Sequence, residues 1–435
     1  MHYKNMTQNS RLVCLSIFLW ATILAATFGH APIEGKKKPD KTQRLKRNLG
    51  DIDIHLRDGQ GNTRLHVAVS ENDRWMVLAL LENGIDRNLQ NDQGNTPLHV
   101  AVSGNKRKIV PILLNNGADI NRRDGQGHTP LYLAVRESNL EIVQALLNKG
   151  ADISLRKDKG HPYYTTGYTP LHLAASGNSR KIVQALLESG ADINLKTDCG
   201  HTPLHLAIAQ WNLKIIKTLL EKGARVDIEG RQGYRPLHLA LIQLSIRNSG
   251  LFMSNEERKH NLETFQEIFQ ELLKFNVDVN LGANGNFPLL EAVAESNLKI
   301  VQALLENGAD INVRDAHGGT VLHVAVYNNL DATILQELFK YDLDVNVQDH
   351  EGNTPLHKAL ECSQRLNLEI LQELLKDKHK VDINVQNRQG NTPLHIAAYL
   401  RNLKIFRLLL KHGANKNVKN NEGHTPLDLK KRFRK

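Results

Sequence analysis

The 435-residue sequence has few aromatic residues, since Phe, Trp and Tyr together make up only 5% of it. A chain of this length exceeds what a single compact core normally holds. The scarcity of large rings is consistent with small helices packed by Leu, Ile, Val and Ala.

Cysteine is equally scarce. The chain contains three cysteines, and Cys14 lies in a hydrophobic segment near the N-terminus, well away from Cys199 and Cys362. Small secreted domains held together by disulfides show many closely spaced cysteines. This sequence has no such framework, and its cysteine content does not indicate a redox compartment.

The common signatures of catalysis are missing as well. The sequence contains no P-loop, no G-x-S-x-G elbow and no H-E-x-x-H motif. Cys199, His201 and His205 have a spacing similar to that of a zinc site, although we expect a structural role for His205. The sequence therefore predicts no enzyme activity, no cofactor and no bound metal.

The positive charge of the chain is concentrated at its two ends. The formal net charge is +10. Residues 1–28 carry +2, residues 29–50 carry +5 and residues 430–435 carry +5, which leaves −2 for residues 51–429. A nucleic-acid-binding surface needs a basic stripe that follows the phosphates. Because the central region has a small negative net charge, we expect no nucleic-acid partner.

What the sequence does contain is a repeat. The hexapeptide GNTPLH occurs at residues 94–99, 352–357 and 390–395. This string and its near-copies begin at eleven glycines, and six of the ten successive intervals are 33 residues long. The eleven glycines are Gly61, Gly94, Gly127, Gly167, Gly200, Gly233, Gly285, Gly318, Gly352, Gly390 and Gly423. A fixed period in this range indicates stacked supersecondary units.

Residues 94–123 show how one unit is built. Thr96 is a good N-cap and Pro97 suits the first helical position, so Thr96 Oγ is expected to accept the N–H of His99. Apolar residues at helical spacing predict two short helices, and Gly117 ends the second. Helices of about ten residues are marginal alone in water. Each unit must therefore bury its apolar stripe against its neighbours.

Two repeated strings make the sequence resemble the ankyrin-repeat family, and bacterial ankyrin-repeat proteins in particular. TPLH occurs in five full copies and GADIN in three. The copies begin at Thr96, Thr169, Thr202, Thr354 and Thr392 for TPLH, and at Gly117, Gly190 and Gly308 for GADIN. The resemblance extends over residues 51–435. It implies an all-α solenoid of about ten to eleven helix-turn-helix units with hairpin-like fingers between them.

Histidine recurs at one position of the repeat, in eight units: His66, His99, His172, His205, His238, His323, His357 and His395. An active site does not require a base or ligand in so many copies. In the family, this imidazole binds the capping Thr and links adjacent repeats. The resemblance therefore implies structural roles for Thr96, Pro97, His99, His172, His205, His357 and His395.

The N-terminus contains an uncharged segment, residues 12–28, preceded by Lys4 and Arg11. The segment fits the core of a signal peptide, and its length also approaches that of a membrane span. In the first case the protein is secreted or exported. In the second it is a single-pass membrane protein, and the basic residues after the segment hold the array in the cytoplasm.

These features divide the chain into four expected parts. They are a signal peptide or N-terminal membrane segment at 1–28, a basic linker or capping half-repeat at 29–50, the repeat array at 51–429 and a basic tail at 430–435.

Departures from the 33-residue period are candidate functional elements. Seven extra residues before the fourth unit bring in Tyr163 and Tyr164, a residue type favoured in interfaces. Nineteen extra residues in the sixth unit lengthen both of its helices, with a capping box predicted between Ser254 and Glu257. Residues 245–263 are either a lid on the solenoid or a partner-binding element.

In the family, the partner usually contacts the surface formed by the fingers and the ends of the first helices, here called the concave surface. We transfer this family surface to the present sequence by position in the repeat and add the two finger tyrosines. The partner-binding candidates are Arg136, Glu137, Tyr163, Tyr164, Gln210, Trp211, Glu295, Tyr327, Asn328 and Tyr399.

The leading hypothesis is a monomeric, non-catalytic scaffold that is exported and binds a protein partner on the concave surface. The alternative is a membrane-anchored structural or adaptor protein. In that case residues 12–28 would lie in the membrane, and the basic segment beside them would bind anionic lipid.

Overall fold

The computed structural model describes residues 56–156, 167–248, 254–282, 287–328, 332–361, 368–376 and 379–432. Over these ranges the chain forms twenty-one α-helices and no named strand. Eleven of them begin within the repeated TPLH-like strings and are called the first helices. The other ten each follow a first helix and are called the second helices. Ten helix pairs and one further first helix therefore make up the described array, as the repeat count predicted.

The first helices carry the odd numbers. They are α1 (Arg64–Ser70), α3 (Pro97–Ser103), α5 (Pro130–Arg136), α7 (Pro170–Ser176), α9 (Pro203–Ala209), α11 (Pro236–Asn248), α13 (Pro288–Ala294), α15 (Val321–Tyr327), α17 (Pro355–Glu361), α19 (Pro393–Tyr399) and α21 (Pro426–Arg432).

The second helices carry the even numbers. They are α2 (Arg74–Glu82), α4 (Val110–Asn115), α6 (Leu140–Asn148), α8 (Arg180–Glu188), α10 (Leu213–Glu221), α12 (Asn255–Leu273), α14 (Leu298–Glu306), α16 (Ala332–Leu338), α18 (Leu368–Leu374) and α20 (Leu403–Lys411).

Local sequence explains where a typical first helix begins. Thr96 has an extended backbone and its Oγ accepts the N–H of His99 at 3.4 Å, while Pro97 occupies the first helical position. Helix α3 ends at Ser103, and Gly104 is its C-cap. The prediction for this unit is confirmed, including the left-handed Gly117 (φ 78°) that follows α4.

Many second helices begin with an asparagine N-cap. Asn139, Asn212, Asn297 and Asn402 each accept, through the side-chain oxygen, the backbone N–H three residues later. Asn is among the best N-cap residues because its short side chain reaches these otherwise unpaired donors. The recurrent Asn-Leu dipeptide thus fixes the start of these helices.

The helices form two layers around one hydrophobic core. Each first helix packs against the first helices of the neighbouring units, in an unbroken series from α1 to α21. Second helices pack against one another from α4 to α12 and from α14 to α18. Buried aliphatic side chains from Leu65 to Leu429 form one continuous cluster. The predicted all-α solenoid is confirmed, and so is the reason for it, since each short helix pair is covered by the next.

The seventh unit departs from the repeat but does not interrupt the stack. Phe287 stands in place of the capping Thr and provides no side-chain cap for α13. Pro288 still opens the helix, and Leu289 and Val293 are fully buried. Helix α13 packs against both α11 and α15. The apolar stripe alone is therefore enough to keep this unit in register.

The fingers are tight turns that contact each other. In one of them, Asn91 Oδ1 accepts the N–H groups of Gln93 and Asn95 at 3.1 and 2.9 Å. The N–H of Gly125, in the next finger, donates to the carbonyl of Gln93 at 3.1 Å. Gly94 has φ 74°, and a Cβ atom there would lie 2.3 Å from the backbone nitrogen of Gly125. This close approach requires glycine.

The sixth unit has the long helices that its insertion predicted. Helix α11 has 13 residues and α12 has 19, against seven and nine in a typical unit. The capping box is confirmed, because Ser254 Oγ accepts the N–H of Glu257 and the Glu257 carboxylate accepts the N–H of Ser254. Phe265 and Phe269 anchor α12 in the core with ring centroids 5.9 Å apart. The centre of the insertion lies outside the described residues, so the choice between lid and binding element stays open.

Several predictions concern parts of the chain that the structure does not describe. Residues 1–55, which include the segment at 12–28 and the linker at 29–50, lie outside the described ranges, as do Tyr163, Tyr164 and residues 433–435. Within the described ranges, no helix combines the length and the apolar character that a membrane span needs.

Candidate protein-binding surface

The recurrent histidines link the repeats. In each of seven units, Nδ1 accepts the backbone N–H of the capping Thr, and Nε2 lies within hydrogen-bond distance of a backbone carbonyl oxygen further along the chain. The pairs formed by Nε2 are His66–Asn95, His99–His128, His172–Leu195, His205–Tyr234, His323–Asn353, His357–Asn391 and His395–His424.

This geometry assigns the tautomer. A backbone N–H can only donate, so Nδ1 is the acceptor, and a carbonyl can only accept, so Nε2 carries the proton. Burial disfavours the imidazolium form and lowers the pKa of His172, His205 and His357 to about 4. The pKa values of the other four linking histidines are also lowered, mainly by burial. A neutral ring with both nitrogens engaged is part of the framework.

The zinc-like spacing of Cys199, His201 and His205 does not produce a ligand cluster. Both ring nitrogens of His205 are hydrogen-bonded, to Thr202 and to Tyr234. In the described parts of the chain, no group of three or more His, Cys, Asp or Glu side chains is arranged to hold a metal ion. The zinc-like spacing in the sequence thus includes a histidine that belongs to the repeat framework.

A groove of about 370 Å³ opens on the concave surface between α15, α17 and the fingers in front of them. Its lining includes Asp315, His317, Tyr327, Asp349, Glu351 and Lys358. Tyr327 is the last residue of α15 and is 57% exposed. Asn328 also lines the groove. Two of the residues predicted to bind a partner therefore lie together at one recess.

Lys358 lies in this groove within ion-pair distance of three carboxylates. Its Nζ lies 3.0 Å from Glu361, 3.3 Å from Glu351 and 3.5 Å from Asp349. Burial opposes the charged ammonium, but the hydrogen bond and charge of Glu361, with those of the other two carboxylates, outweigh it and raise the pKa of Lys358. One permanently charged ammonium is thus surrounded by three carboxylates, and the recess is acidic.

The predicted contact residues in the described ranges, apart from Trp211, form a row that includes the two at the groove. Each occupies the last position or the C-cap of a first helix, where the chain turns toward the second helix. They are Arg136 and Glu137 after α5, Gln210 after α9, Glu295 after α13, Tyr327 and Asn328 after α15, and Tyr399 at the end of α19. Most of them are exposed, and Arg136 forms an ion pair with Glu137 at 3.2 Å. Their role in binding stays a prediction.

Trp211 differs from the residues of this row. It lies directly after Gln210 in the left-handed conformation (φ 57°) and is only partly exposed. The guanidinium carbon of Arg247, at the end of the lengthened α11, lies 4.7 Å from its ring centroid. Its Nε1 is buried and has no hydrogen-bond partner among the described residues. One face of the ring is therefore covered by the insertion.

The sequence prediction did not include the acidic residues of the groove. The distribution of charge along the sequence does indicate an acidic region. Residues 254–361 contain 18 acidic and seven basic residues, a net charge of −11. Residues 94–253 carry +8 and residues 401–435 carry +9. The single value of −2 for residues 51–429 concealed this separation.

Stacked helix pairs, capped by Thr-Pro and joined by buried histidines, define a helical repeat protein. Two descriptions of ankyrin repeats match it. The three-copy description matches residues 34–124, 65–157, 123–197, 171–249 and 259–315, and the many-copy description matches residues 304–359 and 369–429. The chain belongs to the ankyrin-repeat family, whose repeats are generally modules of protein–protein interaction.

Individual relatives resemble short parts of the chain. The Notch-regulated ankyrin repeat-containing protein of Xenopus tropicalis is 32% identical over 79 residues, which cover 18% of this chain and 69% of that protein. Its counterpart in Homo sapiens is 30% identical over 79 residues, with the same coverage. A putative ankyrin repeat protein of Rickettsia prowazekii is 47% identical over 38 residues, or 9% of this chain and 36% of that protein. With a 33-residue period, the first two similarities cover about two repeats each and the third covers about one.

Proposed function

We propose that the chain is a non-catalytic scaffold that binds a protein partner through its concave surface. The observation that carries the proposal is the groove between α15 and α17, which Tyr327 and Asn328 line together with acidic side chains of two fingers. Exposed tyrosine is a common anchor of protein interfaces. The family's members are typically scaffolds without enzyme activity, which supports the same function here.

Site-specific photo-crosslinking tests the binding surface. A photoreactive residue is introduced into the full-length chain at Asn328 on the concave surface or, as a control, at the exposed Lys181 of the second helix α8. In the cells that produce the chain, we expect the Asn328 variant to yield a discrete cross-linked partner band that the Lys181 variant does not. Equal cross-linking from both positions would reject the concave surface as the binding site.

We also propose that the scaffold works as a monomer. The support is the solenoid itself, whose core is closed by stacking within one chain. Light scattering of the purified protein should give the mass of one copy at all accessible concentrations. A stable dimer mass would contradict this part of the proposal.

For localisation, we propose export through an N-terminal signal peptide. The support is the uncharged segment at residues 12–28 with Lys4 and Arg11 before it. Mass spectrometry of the mature N-terminus is the test, and an intact Met1 would exclude cleavage.

The alternative is a membrane-anchored adaptor with a basic segment on anionic lipid, supported by the seven basic residues among residues 29–50. Cell fractionation separates the two, because an anchored chain stays with membranes in high salt whereas a cleaved chain is released.

A further inference from the structure

We propose that the groove between α15 and α17 binds a cationic segment of the partner protein, an extended stretch containing arginine or lysine. This proposal rests on the scaffold function proposed above and specifies the chemistry of the bound segment. It is argued from the shape of the groove and from the charges of the side chains around it.

Acidic side chains approach the groove from three consecutive units. Finger residues Asp315, Asp349 and Glu351 line it, and Glu361 at the end of α17 contacts the same Lys358. In the preceding unit, Glu291 lies on the first helix α13 and Glu295 is the C-cap of that helix. Glu291 occupies the repeat position held in the next two units by Val324 and Lys358, which both line the groove. Four carboxylates therefore line the groove or contact its one lysine, and two more belong to the preceding unit.

The contacts of Lys358 show how this groove holds a cation. Three carboxylates converge on its ammonium at 3.0 to 3.5 Å. Negative charge remains in excess after that pairing. Asp349 is almost buried and its Oδ1 accepts the N–H groups of Glu351 and Asn353, so Glu351 and Glu361 are the carboxylates that a second positive charge from outside would meet. Glu351 is 74% exposed and stands at the rim. An anionic or apolar segment would gain nothing from these groups and would lose their hydration.

The carboxyl of Glu291 has a raised pKa, because burial disfavours its ionised form and the charge of Glu295 adds to that effect. A guanidinium or ammonium group nearby would offset the repulsion from Glu295. The same carboxylates would be repelled by an acidic partner. The local electrostatics thus favour one sign of charge.

The walls of the groove suit the shape of a basic side chain. Tyr327, 57% exposed, presents an aromatic ring at one edge, and Val324 contributes apolar surface. The methylene stem of arginine or lysine packs on such surfaces, and its charged head is attracted to ring faces and carboxylates. Arginine is expected to bind more tightly than lysine, because its planar group forms bidentate hydrogen bonds with carboxylates.

Peptide binding to the full-length protein tests the proposal. The probes are rhodamine-labelled eight-residue peptides in which glycine alternates with Arg, Lys, Gln or Glu, followed by fluorescence anisotropy. We expect the Arg peptide to bind about tenfold more tightly than the Gln peptide at low salt, with affinity that falls as salt rises, and the Glu peptide not to bind.

Two substitutions with opposite expected effects locate the site. Glu351→Gln should weaken binding of the Arg peptide about threefold, whereas Lys358→Gln should strengthen it, since it removes the competing internal cation. Glu422→Gln is the matched control, because Glu422 occupies the same finger position two units away and is 66% exposed. Thermal unfolding of each variant checks that it remains folded.

The outcomes separate this inference from the function on which it rests. Equal affinity for all four peptides, or equal loss from Glu351→Gln and Glu422→Gln, would overturn the cationic groove. Partner cross-linking at Asn328 would still support the scaffold if that happened. Equal cross-linking from Asn328 and Lys181, by contrast, would reject the concave surface as the partner-binding site, whatever affinities the peptides show.

Discussion

The Nε2 atom of His357 lies 3.0 Å from the carbonyl oxygen of Asn391, while its Nδ1 accepts the backbone N–H of Thr354 at 3.1 Å. One neutral ring therefore caps its own helix and joins it to the next unit. In the last described unit, Asp428 accepts the N–H and the hydroxyl of Thr425 at 3.0 and 2.7 Å. A carboxylate at this position can thus accept hydrogen bonds from the capping Thr, but it cannot donate one to the backbone carbonyl of the next unit. This explains why the linking position favours histidine.

Removing this link should destabilise the array. His357→Ala deletes both hydrogen bonds and leaves the carbonyl of Asn391 and the N–H of Thr354 without this partner, at a cost of about 2–4 kcal/mol. The urea midpoint of unfolding should fall accordingly. His317→Ala, which removes an exposed histidine of a finger, should change the midpoint little. An equal effect of both substitutions would contradict the linking role.

Stability should depend on pH through these rings. Their pKa values are lowered in the folded state, so the unfolded chain, with ordinary values near 6.5, binds protons first. The contribution of these histidines to the free energy of unfolding is therefore fully present above about pH 6.5 and is lost as pH falls toward 4. Each histidine contributes at most about 1.4 kcal/mol per pH unit.

Urea midpoints measured between pH 7.5 and 5.5 check this dependence. This range stays above most of the carboxylate titration, so the slope reports mainly on histidine. A variant with His357 replaced by Asn should show a shallower slope than the parent chain. Stability that is constant or rises on acidification would contradict the assignment of neutral rings.

Two glycines with the same backbone conformation should respond differently to substitution. Gly94 and Gly84 have φ of 74° and 80°, but a Cβ atom at Gly94 would meet the backbone of Gly125, whereas at Gly84 nothing lies within 4 Å. Gly84→Ala should therefore cost only the left-handed strain, about 1 kcal/mol. Gly94→Ala should cost clearly more, because adjacent fingers must separate. Thermal unfolding of both variants makes the comparison, and equal losses would rule out finger contact as the cause.

Arg247 should control the accessibility of Trp211. Its guanidinium covers the indole face, so Arg247→Ala should increase acrylamide quenching of that tryptophan, measured with Trp20 and Trp75 replaced by Phe in all samples. Arg258→Ala, on the exposed side of α12, is the control and should leave quenching unchanged. Unchanged quenching in the Arg247 variant would show that the contact does not persist in solution.

Much of the fold was predictable from the sequence because its determinants are local. The Thr-Pro pair starts a helix wherever it occurs, and a left-handed glycine such as Gly117 ends the next one. The 33-residue spacing then predicts stacking, since each unit contacts its immediate neighbours. Even the capping box of Ser254 and Glu257 depends on residues three positions apart.

The binding surface was only partly predictable. Tyr327 and Asn328 were found by their position in the repeat, but their neighbours in the groove, Asp349, Glu351 and Lys358, come from the following unit. The contact between Trp211 and Arg247 likewise joins two units through the length of α11.

The repeating helix pair, its caps and the separation of charge along the chain can thus be read from the order of residues. Which charged side chains meet, and that Lys358 lies among three carboxylates, depends on how the units stack. The physical reason is distance. Caps and apolar stripes act over a few residues, whereas a groove is formed by side chains about 30 residues apart that only stacking brings together.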